Sequence, residues 1–534
     1  MAVIGGAMRF AAFSLVAALL VGCATSPPGA DFPKVRSIAL IHPEETRLGR
    51  QFDGAARDHG GNSAFHLLSV GVDGFLARAQ MINAAERTLD LEYFIFRQDE
   101  TGQLLTDALL RAADRGVRVR VLVDDGDTLT GDEHLAALSA HPKIEIRIFN
   151  PFTYRGHTEL FRAIEFMFNA PRLDYRMHNK LLVVDNAITL VGGRNIGDQY
   201  FQVDPESQFG DDDAFVAGPI VVDLSRTFDD FWNSDLAIPV AALGNEEHSD
   251  AALEAYRKTL DEHRRELKAD GTDYASRVAS GEPLAGMLSG RLPLVWARAQ
   301  VVYDSPDKRR VEKGEMVGEL MHRKVADAAA TVQSELLMVT PFLIPGNDGM
   351  RLFEELRQRG VRVRILTNSL ESTPEPAAQS GYMRYRVPLL EDGVELYEVR
   401  SVLGSARGSG ESSAAAHTGN YALHAKLFVF DRQRLYIGSM NFDERSHRLN
   451  TEVGLIIDSP DLARQTAARF EAIAVPANSY VPTLRRDPAG GPPRLIWRTR
   501  EDGSDIEYDS EPARSAWQRM DVDWLSLLPL DKEL

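Results

Sequence analysis

Two uninterrupted apolar runs carry the same polar head. Residues 181–184 read Leu, Leu, Val, Val and follow His178 and Lys180; residues 427–430 read Leu, Phe, Val, Phe and follow His424 and Lys426. Short apolar runs of this kind predict buried strands. Facing on a strand repeats every two residues, so each histidine shares a side with its lysine. A buried lysine is costly unless something anionic meets it, so each pair reads as half of an anion-handling site. Asp185 and Asp431 close the runs, seven residues after their histidines. Gly192 and Gly438 follow the histidines by fourteen residues, Asn195 and Asn441 by seventeen.

The wider pattern repeats as well. Residues 88–96 predict a strand, 102–116 a helix and 117–125 a strand; 334–344, 349–360 and 361–369 repeat that order. The octets RGVRVRVL and RGVRVRIL begin at Arg115 and Arg359, 244 residues apart, and the histidines are 246 apart. A near-constant offset over separate features is an internal repeat. Strand–helix–strand alternation predicts an α/β fold: two repeated domains, each a mixed sheet flanked by helices, sharing one active site at a pseudo-twofold interface.

The expected organisation is a leader over 1–23, a tether over 24–60, a first domain over 61–239 and a helical connector over 240–292. A second domain over 293–480 and a C-terminal hairpin and helix over 481–534 complete it. The connector is charged and reads as solvated. The loop 404–420 is low in complexity, and His417 within it reads as a bystander. A hairpin is expected around Asp502–Gly503. The last stretch, with Trp517 and Trp524, reads as docked on the protein, because interfacial helices favour Lys and Arg over its aspartates.

Composition narrows the function. At 534 residues the chain is too long for one core. A net charge of −18 argues against a general nucleic-acid binder, which needs basic surface. Cys23 is the single cysteine, so no internal disulfide framework exists. It ends a short apolar run behind Arg9, too short for a spanning helix and shaped like an export signal. The sequence Leu20-Val21-Gly22-Cys23 resembles a bacterial lipoprotein signal, with Cys23 lipidated. Ala24 in place of an aspartate implies the outer membrane, facing the periplasm.

Two His–Lys–Asn sets around one phosphate suffice for phosphoryl chemistry. Ammonium and amide groups hold the oxygens, one imidazole attacks phosphorus and the other protonates the departing alcohol. No clustered His/Cys/carboxylate set has metal-ligand spacing, so neither metal nor cofactor is expected. Strand alternation turns Asp185 and Asp431 away from the histidines and gives them a strand-fixing task. Each histidine still needs a carboxylate on its other nitrogen. Glu452 and Asp213 are the candidates; Asp213 is preferred for its place beside a strand, with Asp211 and Asp212 competing.

The paired H-x-K-x4-D with G-G/S-x-N resembles the phospholipase D superfamily, and the text around it is similar to bacterial cardiolipin synthases from about residue 66 onward. The resemblance implies a two-domain α/β monomer with one active site and a phosphohistidine intermediate. It implies a catalytic set of His178, Lys180, Asp185, His424, Lys426 and Asp431, with His178 as nucleophile and His424 as general acid. It implies phosphate binding by Lys180, Lys426, Asn195 and Asn441 with Gly193 and Ser439, and histidine orientation by Asp213 and Glu452. The expected reaction is phosphatidyl transfer between phospholipids at a membrane. Hydrolysis to phosphatidic acid is the alternative; a nuclease or a non-catalytic scaffold fits less well.

Overall fold

The computed structural model describes residues 26–126, 132–156, 158–204, 207–244, 248–270, 282–403, 420–486 and 491–525. The expected leader with Cys23, and His417, lie outside them.

Both halves build a mixed sheet in one strand order. The first runs Ala237–Pro239, Ile144–Phe149, Arg118–Asp124, Thr88–Tyr93, Lys180–Val184, Ile188–Gly192, Asp213–Ala217 and Ser63–Leu68. The second runs Ser479–Arg485, Glu395–Val399, Arg362–Asn368, Glu335–Val339, Leu427–Phe430, Arg434–Gly438, Val453–Asp458 and Val295–Tyr303. Parallel pairs occur where a helix makes the crossover, as between Thr88–Tyr93 and Arg118–Asp124. That helix, Glu100–Asp114, starts where the Asp99 side chain accepts the Gly102 N–H at 3.2 Å and buries Leu105, Leu109 and Ala113. The sheets meet where Ser63, Ala64 and Phe65 pair antiparallel with Ala297, Trp296 and Val295. One apolar cluster holds Phe65, Val191 and Val216 of the first half with Leu435, Ile437 and Leu455 of the second, so the halves share a core.

The aspartates that end the apolar runs do not face the histidines. Asp185 and Asn186 have φ of 52° and 49°, and Asp431 and Arg432 have 53° and 55°. Each pair forms the left-handed part of a three-residue hairpin loop, between Val184 and Ile188 in the first half and between Phe430 and Arg434 in the second. Asp185 accepts the backbone N–H groups of Glu86, Arg87 and Thr88 at 2.8–2.9 Å. Asp431 does the same for Gln333, Ser334 and Glu335 at 2.7–3.0 Å. Each pins the start of the neighbouring strand, which corrects their inclusion in the catalytic set.

The connector also departs from expectation. Helix Asp250–Asp270 is not solvated all round: Leu253, Tyr256 and Leu260 fall on one face and are buried. At the C-terminus, Arg494–Glu501 and Ser504–Tyr508 form the hairpin around Asp502–Gly503. Helix Ala516–Leu525 docks through Val522 yet leaves Trp517, Met520 and Trp524 exposed.

Candidate active site

Two short parallel ladders cross between the halves. Arg176–Met177 pairs with Asn450–Thr451, and Asn420–Leu423 pairs with Ser207–Gly210. Each brings the residues before one histidine alongside the residues before a carboxylate of the other half. The His178 N–H donates to the Thr451 carbonyl at 2.9 Å, and the His424 N–H to the Gly210 carbonyl at 2.8 Å. The side chains follow the backbone. His178 Nδ1 lies 2.9 and 3.0 Å from the two Glu452 oxygens, and His424 Nδ1 lies 2.6 Å from Asp211 Oδ2.

This corrects the expectation for Asp213. The carboxylate of the first half is Asp211, and it serves the histidine of the second half. Asp213 instead meets Arg78 at 2.8 Å and Arg194 at 3.1 Å. Asp212 accepts Ser69 Oγ at 2.6 Å and pairs with Arg469 of the second half. A signal for Asp211 does exist in the sequence. Pro219 and Pro460 stand 241 apart, as do Asp211 and Glu452. The sheet register agrees, since Gly192 faces Asp213 and Gly438 faces Gly454.

Gly193 and Ser439, expected at phosphate, support the carboxylates instead. A side chain at Gly193 would collide with the Asp211 carboxylate, so the glycine makes room for it. Ser439 Oγ donates to Glu452 Oε2 at 2.5 Å, and Ser446 Oγ to Glu452 Oε1 at 2.8 Å. Glu452 is therefore saturated by two hydroxyls and an imidazole.

Both lysines reach back to the histidines. Lys180 Nζ donates to the His178 carbonyl at 2.6 Å, and Lys426 Nζ sits 3.0 Å from His424 Nδ1. Lys180 also lies 5.2 Å over the Phe94 ring. The histidines are 6% and 8% exposed, and their electrostatics follow from that burial. Burial, then Lys180 and Lys426, holds His178 well below its ordinary value. Burial and Lys426 bring His424 down to about 3, against the pull of Asp211. Burial lowers Lys426 to about 8 and takes Lys180 well below the usual lysine range. The carboxylates diverge: burial pushes Glu452 up to about 7, whereas His424 and Lys426 overcome burial and hold Asp211 near 2. The two histidine–carboxylate pairs thus share a geometry and differ in charge.

The asparagines differ too. Asn195 Oδ1 accepts the Ile95 N–H at 3.2 Å and its Nδ2 donates to Tyr200 at 2.8 Å, so its amide is already engaged. Asn441 Oδ1 is buried without a partner among the described residues. With Nδ1 of each ring held by a carboxylate, Nε2 is the nitrogen that can meet a substrate; at His424 it lies 3.3 Å from Lys426 Nζ. That arrangement can attack, protonate and stabilise at a phosphodiester.

The family described as "Cardiolipin synthase, PLD-like domain" matches residues 79–232 and 313–474. Cardiolipin synthase C of Escherichia coli strain K12 is 35% identical over 485 residues, covering 89% of this chain and 96% of that protein. The chain belongs to the cardiolipin synthase family of phospholipase D-like proteins. An uncharacterised protein of Helicobacter pylori strain J99 is 29% identical over 492 residues, covering 92% of this chain and 93% of its own. Among solved structures, phosphatidylserine synthase of Haemophilus influenzae Rd KW20 overlays with a TM-score of 0.49 at 14% identity, covering 80% of this chain and 91% of that one.

Several residues at the site of this cardiolipin synthase-family chain escape sequence reasoning. Phe94 packs edge-on against His178 at 5.0 Å, and Phe209 stacks on His424 at 5.2 Å. Ser446 and Asp443 support Glu452 from the helix Glu444–Arg448, where Asp443 accepts the Ser446 N–H at 2.7 Å. None of these stands at a spacing that chemistry alone would single out.

Proposed function

We propose that the protein transfers a phosphatidyl group from one glycerophospholipid to an alcohol on a second, most simply making cardiolipin from phosphatidylglycerol. His178 Nε2 attacks phosphorus, and the bond to the headgroup oxygen breaks. His424 gives its proton to the departing alkoxide. In the second half-reaction His424 takes the proton of the acceptor alcohol, whose oxygen attacks the phosphohistidine and frees His178. Bonds and protons balance with no metal or cofactor, and Lys180 and Lys426 supply the positive charge.

The observation that carries this assignment is the crossed pair of histidine–carboxylate contacts, His178 with Glu452 and His424 with Asp211, each between the two halves. Ionised Asp211 stabilises a proton on His424, as an acid requires. Glu452, pushed up to about 7, places less negative charge beside His178 and leaves it neutral, as a nucleophile requires. His424 is held low first by burial and then by Lys426, and the phosphodiester anion, arriving between the lysines, opposes both by favouring a proton on the ring. Burial of both rings favours a lipid acceptor over water.

A bilayer as the place of work is supported by helix Glu159–Leu173, which is joined to His178 by four residues. It exposes Leu160, Phe161, Ile164, Phe166, Met167 and Phe168, with Met167 71% and Phe168 78% exposed. A contiguous apolar surface of this kind fits a lipid interface. Among the described residues no helix is long and apolar enough to cross a membrane. Anchoring through lipidated Cys23, periplasm-facing and at the outer membrane, is part of the same proposal, with a monomer as the working unit. Loss of labelled-palmitate incorporation in Cys23→Ser, with membrane fractionation, tests it.

The deciding experiment is a product assay. Protein without its leader is mixed with vesicles of phosphatidylglycerol and phosphatidylethanolamine in EDTA, and products are read by mass spectrometry. Cardiolipin that disappears in His178→Ala supports transfer. Phosphatidic acid alone would make the protein a hydrolase, and dependence on added metal would overturn the mechanism.

A further inference from the structure

A buried ion pair that the mechanism does not use stands behind Glu452. Asp304 follows strand Val295–Tyr303, and Lys308 begins the short helix Lys308–Glu312 one turn later. Both are fully buried, and Lys308 Nζ meets Asp304 Oδ2 at 3.0 Å. An ammonium carries three donors. The other two meet the Ser446 carbonyl at 2.7 Å and the Asn450 carbonyl at 2.8 Å. All three are engaged inside the protein, so Lys308 has no donor left for a substrate.

These bonds converge on Glu452. Its N–H donates to Asp304 Oδ2 at 3.2 Å, and the Asp304 N–H donates to the Glu452 carbonyl at 3.0 Å. Ser446, whose carbonyl accepts from Lys308, donates its hydroxyl to Glu452 Oε1 at 2.8 Å. Asn450 belongs to the ladder strand Asn450–Thr451 that leads into Glu452. The same segment reaches the histidine. The Lys308 N–H donates to Tyr175 Oη at 3.1 Å, and Tyr175 Oη donates to the Pro306 carbonyl at 2.9 Å. Tyr175 is three residues before His178.

The first half supports its carboxylate with a different residue. Buried Arg194 donates to the carbonyls of Leu68 at 2.7 Å, of Ser69 at 2.9 Å and of Asp211. Arg194 stands one residue before Asn195, and Met440 holds that place before Asn441. Conversely, Leu68 faces Asp213 as Val302 faces Gly454, which sets Val70 where the second half has Asp304. The two buried cations lie at positions that the repeat does not relate, yet each binds main-chain carbonyls beside its own half's carboxylate. What recurs is the support of a carboxylate, not a position in the repeat.

We propose that Asp304 and Lys308 are a positioning pair that sets the Glu452 carboxylate on His178 Nδ1, and so readies the nucleophile without touching substrate. The kinetic part of this assignment rests on the phospholipid reading of the site. A buried ion pair is no better for stability than well-packed apolar residues of similar size, so its directional bonds are what distinguish it. Burial pushes Asp304 up to about 6 and Lys308 pulls against it, which keeps the carboxylate an acceptor for the Glu452 N–H.

Lys308→Met combined with Asp304→Asn removes both charges together and leaves no unpaired buried ion. Asp304→Asn alone is the milder change, and thermal melting verifies folding of both. Folded variants are expected to lose about tenfold or more in kcat on phosphatidylglycerol vesicles, with KM within about twofold. Added to Glu452→Gln, the paired substitution should lower kcat by less than about twofold further; added to Asp211→Asn, it should lower kcat by its full factor. A general loosening of the fold would multiply with both. Histidine side-chain N–H NMR of the resting protein reads the same contact without turnover, with signals assigned from His178→Ala and His424→Ala. The His178 Nδ1–H signal should shift or vanish in the variants, and the His424 signal should stay. That result supports the pair even if the wild type turns over no phospholipid, a failure that would count against the substrate alone. An unmoved His178 signal in a folded variant, equal losses on the Glu452→Gln and Asp211→Asn backgrounds, or unfolding of both variants would overturn the proposal.

Discussion

His178 and Glu452 are 274 residues apart in sequence, and the imidazole Nδ1 touches both carboxylate oxygens at 2.9 and 3.0 Å. Asp211 and His424 repeat the contact in the opposite direction at 2.6 Å. Neither half therefore contains a complete histidine–carboxylate pair. The crossing ladders at Arg176–Met177 and Asn420–Leu423 enforce this, since they bind the histidine strands to the carboxylate strands of the opposite domain.

Glu452→Gln and Asp211→Asn should both lower turnover while preserving the fold, by roughly 10²–10⁴-fold, the usual range for a compromised general acid or base. They should differ in the step affected. Asp211→Asn weakens the acid, so a substrate with a better leaving group should recover most of the lost rate. Glu452→Gln should show little such recovery. Rapid-quench detection of the phosphohistidine checks this, and identical leaving-group dependence would overturn the assignment of roles.

Gly193→Ala should act through Asp211. The added methyl collides with that carboxylate and pushes it off His424. Turnover should fall by about 10- to 100-fold with little change in lipid binding. Unchanged kcat in a folded variant would show that Asp211 moves without consequence.

Asp431→Ala should affect stability first. It removes the acceptor of three backbone N–H groups and the Ser334 hydroxyl, at a cost of about 2–4 kcal/mol. Denaturant unfolding should show the loss, while the folded fraction keeps near-normal turnover. A specific loss of kcat with wild-type stability would return Asp431 to the catalytic set.

Glu92 gives a pH signature separate from catalysis. It is fully buried beneath the site, donates nothing in its ionised form, and accepts Asn179 Nδ2 at 2.8 Å; burial pushes it up to about 8. The folded state holds this proton where the unfolded chain, near 4.5, has released it. Its contribution to stability is therefore fully present below about pH 4.5 and is lost as pH rises toward 8. Glu92→Gln should match the wild type at pH 4.5 and melt higher at pH 8. Parallel melting curves across that window would refute the buried neutral acid.

Met167→Glu with Phe168→Glu should weaken binding to phosphatidylglycerol vesicles by about tenfold or more, because both apolar side chains are exposed before lipid contact and nothing in the fold depends on them. Vesicle sedimentation reads the loss, and melting should not change. Unaltered vesicle binding would remove this helix from the lipid interface.

The sequence by itself determined the repeat, the α/β class and the two His–Lys pairs, because strand periodicity and fixed spacing are local properties of the chain. It also determined that Asp185 and Asp431 turn from the site, since alternation along a strand is local too. The partner of each histidine was decided by tertiary structure. Asp211, Asp212 and Asp213 are chemically alike and adjacent, and only the crossed ladders select Asp211 for His424, while Arg78 and Arg194 claim Asp213. Tertiary structure likewise decided the charge on each carboxylate, because desolvation and the distance to a lysine exist only once two halves, some 240 residues apart in sequence, close on one another.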